Sequence, residues 1–285
     1  MRPTAPQLYA ERRRASKVPI SRASNARDTF CDVESVSLLF LLAAKPVNTQ
    51  PPSLEQIAPT KLHAWRNVLA ITLLNCLILG LGCFVLLGGY LRQRMNLFDA
   101  AAVQQLGFAV GLAIVLAVVV AWQRARGLSL QDLGYRRPTT RLALILAVAL
   151  GVAYLCGCYF GATYVIPTAD ATAFSWVRVA LAPIGVFMAF AEEAIMRGFF
   201  MTELERAKVG TTKQIFASGA CSAIYHSFQN PTLEGFLPGF FLFSIHAGLY
   251  VLGKRSLTPT VVAHSIYHVF GEPYLLMMVL VTMRS

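Results

Sequence analysis

Charge is what this sequence has least of, and negative charge least of all. Its 285 residues hold 14 Asp and Glu against 25 Lys and Arg, so that only 14% are charged. An ordinary soluble domain carries about 25%, which excludes a fold that faces water all round. The six cysteines (Cys31, Cys76, Cys83, Cys156, Cys158 and Cys221) lack the paired spacing of a disulfide framework or a zinc knuckle. Cys156-Gly-Cys158 lies inside LCGCYFGATYV, where small thiols act as packing hydrophobes. The net charge of +11 does not imply a nucleic-acid partner, because the basic residues gather in the N-terminal segment and in short loops between apolar runs. Nothing resembles GxSxG or HExxH, so the chain offers no serine elbow and no soluble zinc-protease helix.

What the chain has in quantity is hydrocarbon. Residues of the apolar and aromatic types make up 56% of it, in long runs rather than in alternation. Crossing a bilayer takes about 20 residues of helix, and runs of that order fall near 67–91, 103–122, 142–166, 174–203, 213–229, 233–253 and 257–283. These predict an all-α, polytopic transmembrane bundle of about seven to eight helices over 63–285. Gly271-Glu272-Pro273 interrupts the last run, which is therefore one kinked helix or two, since Pro273 removes a helical hydrogen bond. Residues 1–62 are rich in Arg, Pro and Ser and contain one short apolar run, SVSLLFLLAA at 35–44. Roughly thirty mostly polar residues precede it, a poor match to a secretory signal, and the segment reads as disordered or peripheral. Lys and Arg concentrate in the N-terminal segment and in alternate loops (Arg124, Arg126, Arg136, Arg137 and Arg141, then Arg206, Lys208 and Lys213, then Lys254 and Arg255). This bias predicts a cytoplasmic N-terminus in an integral protein of the plasma (inner) membrane, with lipid as its surroundings. The GxxxG spacings Gly107/Gly111, Gly157/Gly161 and Gly235/Gly239 say only that helices can pack closely, and leave the oligomeric state open.

Against that background the stretch AEEAIMRGFF, 191–200, stands out. A charge near the centre of a membrane helix costs about 2.5–3.5 kcal/mol on insertion scales, and here three occur within six residues. Glu193 and Arg197 are four apart, share a face and can pair. Glu192 lies about 100° further round and is left over. A purely structural reading, in which Arg197 is bridged by both carboxylates and locks a helix contact, stands beside the functional one. Of the five histidines, His63 precedes the first span, and His246 in LFSIHAGLY reads as a hydrogen-bonded packing residue. His226, His264 and His268 can be placed by depth. With Thr258 as N-cap and Pro259 in the first turn, His264 and His268 lie about 8 and 14 Å into the membrane. Glu192 lies about 16 Å from the same side and His226 about 20 Å. Three helices thus bring ionisable groups to one layer. Such a cluster suits proton transfer, metal binding or both: a carboxylate and an imidazole draw a proton from water, and two His with a Glu make a three-ligand catalytic zinc set. The metal candidates are Glu192, His226, His264 and His268, and a divalent ion such as zinc is left open beside a water held by Glu and His alone.

These residues resemble the CPBP family of intramembrane peptidases, which includes the CAAX prenyl endopeptidases and the bacteriocin-processing and self-immunity proteins. The resemblance rests on Glu192-Glu193-x-x-x-Arg197, on His226 in the next helix and on the His264/His268 pair. With GLSLQDLGYRR at 127–137 as the connector before the core, it covers roughly 127–270. It implies that Glu192 activates water with help from His226, that Glu193 and Arg197 hold the site in shape, and that His264 stabilises the oxyanion with the residue four later. The substrate implied is a membrane-associated, prenylated or otherwise lipidated protein or peptide. Two positions depart from the family pattern: Ser222 stands where an aromatic is usual four residues before the histidine, and His268 where Asn is common. Two other classes compete with this one. A proton-coupled transporter also needs intramembrane Glu, Arg and His, but no pair of interrupted helices recurs in two halves. A non-enzymatic scaffold or immunity protein would keep the same core without turnover.

Overall fold

The structure is a computed structural model that describes residues 59–135, 140–166, 170 and 173–282. The expected disordered or peripheral segment 1–62 therefore lies outside the described residues, except for 59–62. Among the described residues eight helices run in chain order: α1 Lys61–Arg92, α2 Leu97–Ala125, α3 Arg141–Val165, α4 Trp176–Arg206, α5 Thr211–His226, α6 Leu233–Leu252, α7 Leu257–Gly271 and α8 Tyr274–Thr282. Short 3₁₀ turns occur at Leu130–Leu133 and Ser227–Gln229, and no strand occurs among the described residues. Polar side chains set several of the starts, because the first turn of a helix has amide groups without intrahelical partners. Asn96 Oδ1 accepts from the Asp99 amide at 3.0 Å, and Ser256 Oγ accepts from the Thr258 amide at 3.3 Å. The cap of α7 is thus Ser256 rather than the expected Thr258, which lies inside the first turn.

The all-helical fold is as expected, but the expected seven to eight spans are not reached among the described residues. Five helices (α1, α2, α3, α4 and α6) are long and apolar enough to cross a membrane, or six if α7 and α8 form one broken span. The differences have physical causes. At 16 residues α5 is about 24 Å long, short of a hydrocarbon core of about 30 Å, and it carries Lys213, Gln214, Ser218 and Ser222. The last apolar run breaks at Gly271-Glu272-Pro273 into two helices bent by 78°, leaving the nine residues of α8 too short to span alone. All five cysteines of the described residues are free thiols.

The helix α4 is the axis of the molecule. Every residue from 191 to 201 is buried, so the charged stretch meets protein on all sides instead of lipid. Six residues after Glu193, Ala194–Phe199, are wound as a π-helix, a widening that recurs at functional sites. Helix α7 packs on α3 and α4, α6 packs on α5, and α2 lies along α4. Polar contacts gather the connections at one end of the bundle. Glu203 accepts from Asn67 Nδ2 and from Arg126 Nη1, both at 2.8 Å. Arg255 pairs with Glu205 at 2.8 Å and donates to Gln214 Oε1, and the Leu257 amide donates to the Gly134 carbonyl at 3.1 Å. The basic loops that follow α2, α4 and α6 therefore share one end.

The connector reaches α4 through a close approach at Gly198. A Cβ built there would stand 2.4 Å from the Leu133 carbonyl oxygen, a backbone atom that cannot rotate aside. Overpacking of this kind typically costs about 1–3 kcal/mol. Gly198→Ala is accordingly expected to lower the thermal midpoint of the detergent-solubilised protein, and an unchanged midpoint would show that the 130–133 turn yields freely.

Candidate active site

Glu192 and Glu193 leave α4 in different directions and meet different partners. Glu193 is fully buried, and its Oε2 lies 3.2 Å from Arg197 Nε. Its Oε1 accepts from His264 Nδ1 at 2.8 Å and from His246 Nδ1 at 3.1 Å, so two imidazoles on α7 and α6 converge on one oxygen. Arg197 donates through Nη2 to the Phe243 carbonyl at 3.1 Å, and its guanidinium lies 5.4 Å from the centre of the Phe243 ring. A buried ion pair is tolerated when its remaining polar atoms find partners; Glu193 Oε1 and Arg197 Nη2 find them, whereas Arg197 Nη1 and His246 Nε2 have none. Arg197, Glu193, His246 and His264 therefore tie α4, α6 and α7 together beneath the site.

Glu192 faces the other way, into a cavity of about 220 Å³ to which all eight helices contribute. Its wall is mainly apolar, with Leu79, Phe108 and Met188 among its residues, and its polar members include Glu192, His226, His264, His268 and Glu272. Glu192 Oε2 lies 3.5 Å from His264 Nε2, while Oε1 has no hydrogen-bond partner. The close fit of α7 against α4 depends on Gly185, where a Cβ would stand 3.0 Å from the Cβ of His268. The rings of His264 and His268 stack with centres 4.8 Å apart and planes 17° apart. On α5, His226 donates from Nδ1 to the Ser222 carbonyl at 2.8 Å, which leaves Nε2 as an acceptor when the ring is neutral.

The four residues placed by depth, Glu192, His226, His264 and His268, thus share one cavity wall. Among the described residues two groups of three could each supply donor atoms to a metal, all within 4.8 Å of one another: Glu192, His264 and His268, and Glu193, His246 and His264. His226, a metal candidate from the sequence, falls in neither. The second group already carries the Arg197 guanidinium against Glu193, a poor companion for a cation.

Two residues were not anticipated. His246, read as a packing histidine, is bonded to Glu193; counted back from the Gly253 end of α6 it lies about 10 Å deep, so the rule that located the others would have found it. Glu272, read only as part of a helix break, is 2% exposed and bonds through Oε1 to His268 Nδ1 at 3.3 Å. Its only signal was the spacing of four from His268, obscured by the proline that follows.

No curated protein and no solved structure matches this chain. The family model described as Type II CAAX prenyl endopeptidase Rce1-like matches residues 173–270, about a third of the chain. That segment runs from α4 to α7 and encloses every glutamate and histidine of the site except Glu272, while the expected connector at 127–137 lies outside it. With Glu192, His226, His264 and His268 lining one cavity of an integral membrane protein, the match over this segment supports a CPBP-family membrane peptidase.

Proposed function

We propose that this protein is a membrane-embedded endopeptidase that hydrolyses a peptide bond in a membrane-associated, prenylated or otherwise lipid-bearing protein or peptide. The observation that carries the reading is the position of Glu192, buried at the wall of an apolar cavity, with one oxygen unpartnered and the other 3.5 Å from an imidazole nitrogen. A water beside Glu192 loses a proton to the carboxylate as its oxygen bonds to the scissile carbonyl carbon and the carbonyl electron pair moves onto oxygen. His226, with Nδ1 engaged by the Ser222 carbonyl, presents Nε2 as a second acceptor for that water. Collapse of the tetrahedral adduct breaks the C–N bond, and the proton taken from water passes to the departing amine. The apolar remainder of the cavity suits a lipid-bearing chain end, and the shared basic end of the bundle supports a cytoplasmic placement of that face.

His264 decides how the oxyanion is met. Its Nδ1 faces the Glu193 carboxylate, which only accepts, so Nδ1 carries a proton; Nε2 then faces Glu192 Oε2 across 3.5 Å. Two bare acceptors do not face each other stably at that range, so a proton, a cation or a water that donates to both belongs there. As an imidazolium, His264 donates from Nε2 to the developing oxyanion, with His268 stacked beside it. The donor set also fits a divalent ion such as zinc, held by Glu192, His264 and His268 with carboxylates behind both imidazoles. Such an ion would supply Lewis acidity at the scissile carbonyl.

The test is cleavage of a prenylated, vesicle-tethered reporter peptide by the purified protein, with an untethered peptide of the same sequence as comparison. Faster cleavage of the tethered substrate is expected; no cleavage of either would overturn the reading. A strong chelator is expected to lower turnover and added zinc to restore it. Undiminished turnover after verified metal removal would instead exclude a zinc-bound water and leave activation to Glu192 and His226.

A further inference from the structure

We infer that Glu272 is a positioning residue of this site, holding His268 in the tautomer with the proton on Nδ1 so that Nε2 is left as an acceptor. The inference rests on the peptidase reading for its catalytic consequence but not for its geometry. His268 Nδ1 and Glu272 Oε1 are 3.3 Å apart, both residues are buried, and the other Glu272 oxygen has no partner. An ionised carboxylate offers no hydrogen, so the imidazole must be the donor. In water the neutral ring prefers no such arrangement strongly, and the buried carboxylate supplies the bias.

The arrangement repeats the one beside it. His264 turns Nδ1 to Glu193 at 2.8 Å as His268 turns Nδ1 to Glu272, and the two rings lie nearly parallel. Each imidazole thus has its own carboxylate behind it, the outer hydrogen bond that fixes ring orientation and raises basicity in carboxylate–histidine pairs. Glu272 is held in place to do this. The chain leaves α7 at this residue, where the Glu272 amide donates to the His268 carbonyl at 3.4 Å. The neighbouring Phe270 carbonyl accepts from Tyr159 Oη on α3, at 2.8 Å, and from Arg178 on α4. Donors from two other helices therefore clamp the end of α7 that carries the carboxylate.

The tautomer is read by ¹⁵N chemical shifts of the His268 ring in histidine-labelled protein, identified by its loss in His268→Asn. The Nδ1–H form is expected in the native chain and its loss in Glu272→Gln, whose neutral amide can donate as well as accept. An Nε2–H ring in the native chain would overturn the inference without any variant. For catalysis, Glu272→Gln is expected to lower turnover of the tethered reporter about 10–100-fold, and to change it less than about twofold in the His268→Asn background, where no ring remains to be held. An equal fall in both backgrounds would make Glu272 a structural residue only. A tautomer change in a protein that cleaves nothing would sink the peptidase reading and keep the pair; cleavage with an unaltered tautomer in Glu272→Gln would do the reverse.

Discussion

Glu192→Gln is expected to reduce cleavage of the tethered reporter by about 10²–10⁴-fold, the range for loss of a general base, without lowering the thermal midpoint. Glutamine keeps the shape of the side chain and loses only the charge and the second acceptor. Because Glu192 has one oxygen unpartnered and the other 3.5 Å from its nearest imidazole nitrogen, the bonding given up is confined to the His264 contact, and it is offset by removal of a desolvated charge from an apolar wall. The midpoint should therefore stay level or rise while the chemistry is lost. Glu193 gives the opposite pattern by the same reasoning, since its carboxylate bonds two imidazoles and pairs with a guanidinium; Glu193→Gln should lower midpoint and activity together. A Glu192→Gln protein that cleaves at the native rate would remove this carboxylate from the reaction.

Arg197→Met is expected to be among the most destabilising single changes, at about 3–5 kcal/mol, the usual penalty for removing one member of a buried pair. The methionine fills much of the space, so the loss is electrostatic. Glu193 would keep its two imidazoles but face no permanent cation, and the Phe243 carbonyl would lose the donor now 3.1 Å away. Arg197→Lys separates the two contributions, since it preserves a positive charge near Glu193 but lacks the planar fork that reaches Phe243 at the same time. A smaller loss is expected for lysine than for methionine. Midpoints in detergent, with intrinsic fluorescence as a second probe of cooperativity, give the comparison. Equal midpoints for native and Arg197→Met proteins would show that His246 and His264 alone compensate Glu193.

Much of this site could be read from spacing. A separation of four between Glu193 and Arg197 meant one helical face, and the structure pairs them at 3.2 Å. Counting rise from helix ends brought Glu192, His226, His264 and His268 to one level, and all four line one cavity. What counting could not supply was direction around each helix. His226 and His264 are both at suitable depth, yet of the two only His264 has a ring nitrogen within 4 Å of a glutamate oxygen, because α7 packs directly on the first part of α4 through Gly185 while α5 meets α4 further along, at 194–206. His246 illustrates the converse, since its depth was right and its role was missed for want of a partner on its own helix.

The sequence by itself determined that this is a helical membrane protein and that its charges within the bilayer are few. Long apolar runs and the cost of charge in hydrocarbon act residue by residue, so they need no knowledge of neighbours. It also determined which residue types were available for chemistry. The tertiary structure alone decided how they divide: Glu193 with Arg197, His246 and His264 as the buried frame, and Glu192 facing the cavity with His226, His268 and Glu272. That division depends on helices distant in sequence meeting at particular angles. It depends also on a 78° bend after α7, and neither packing angles nor the carboxylate brought in by a broken helix is encoded in the periodicity of any one segment.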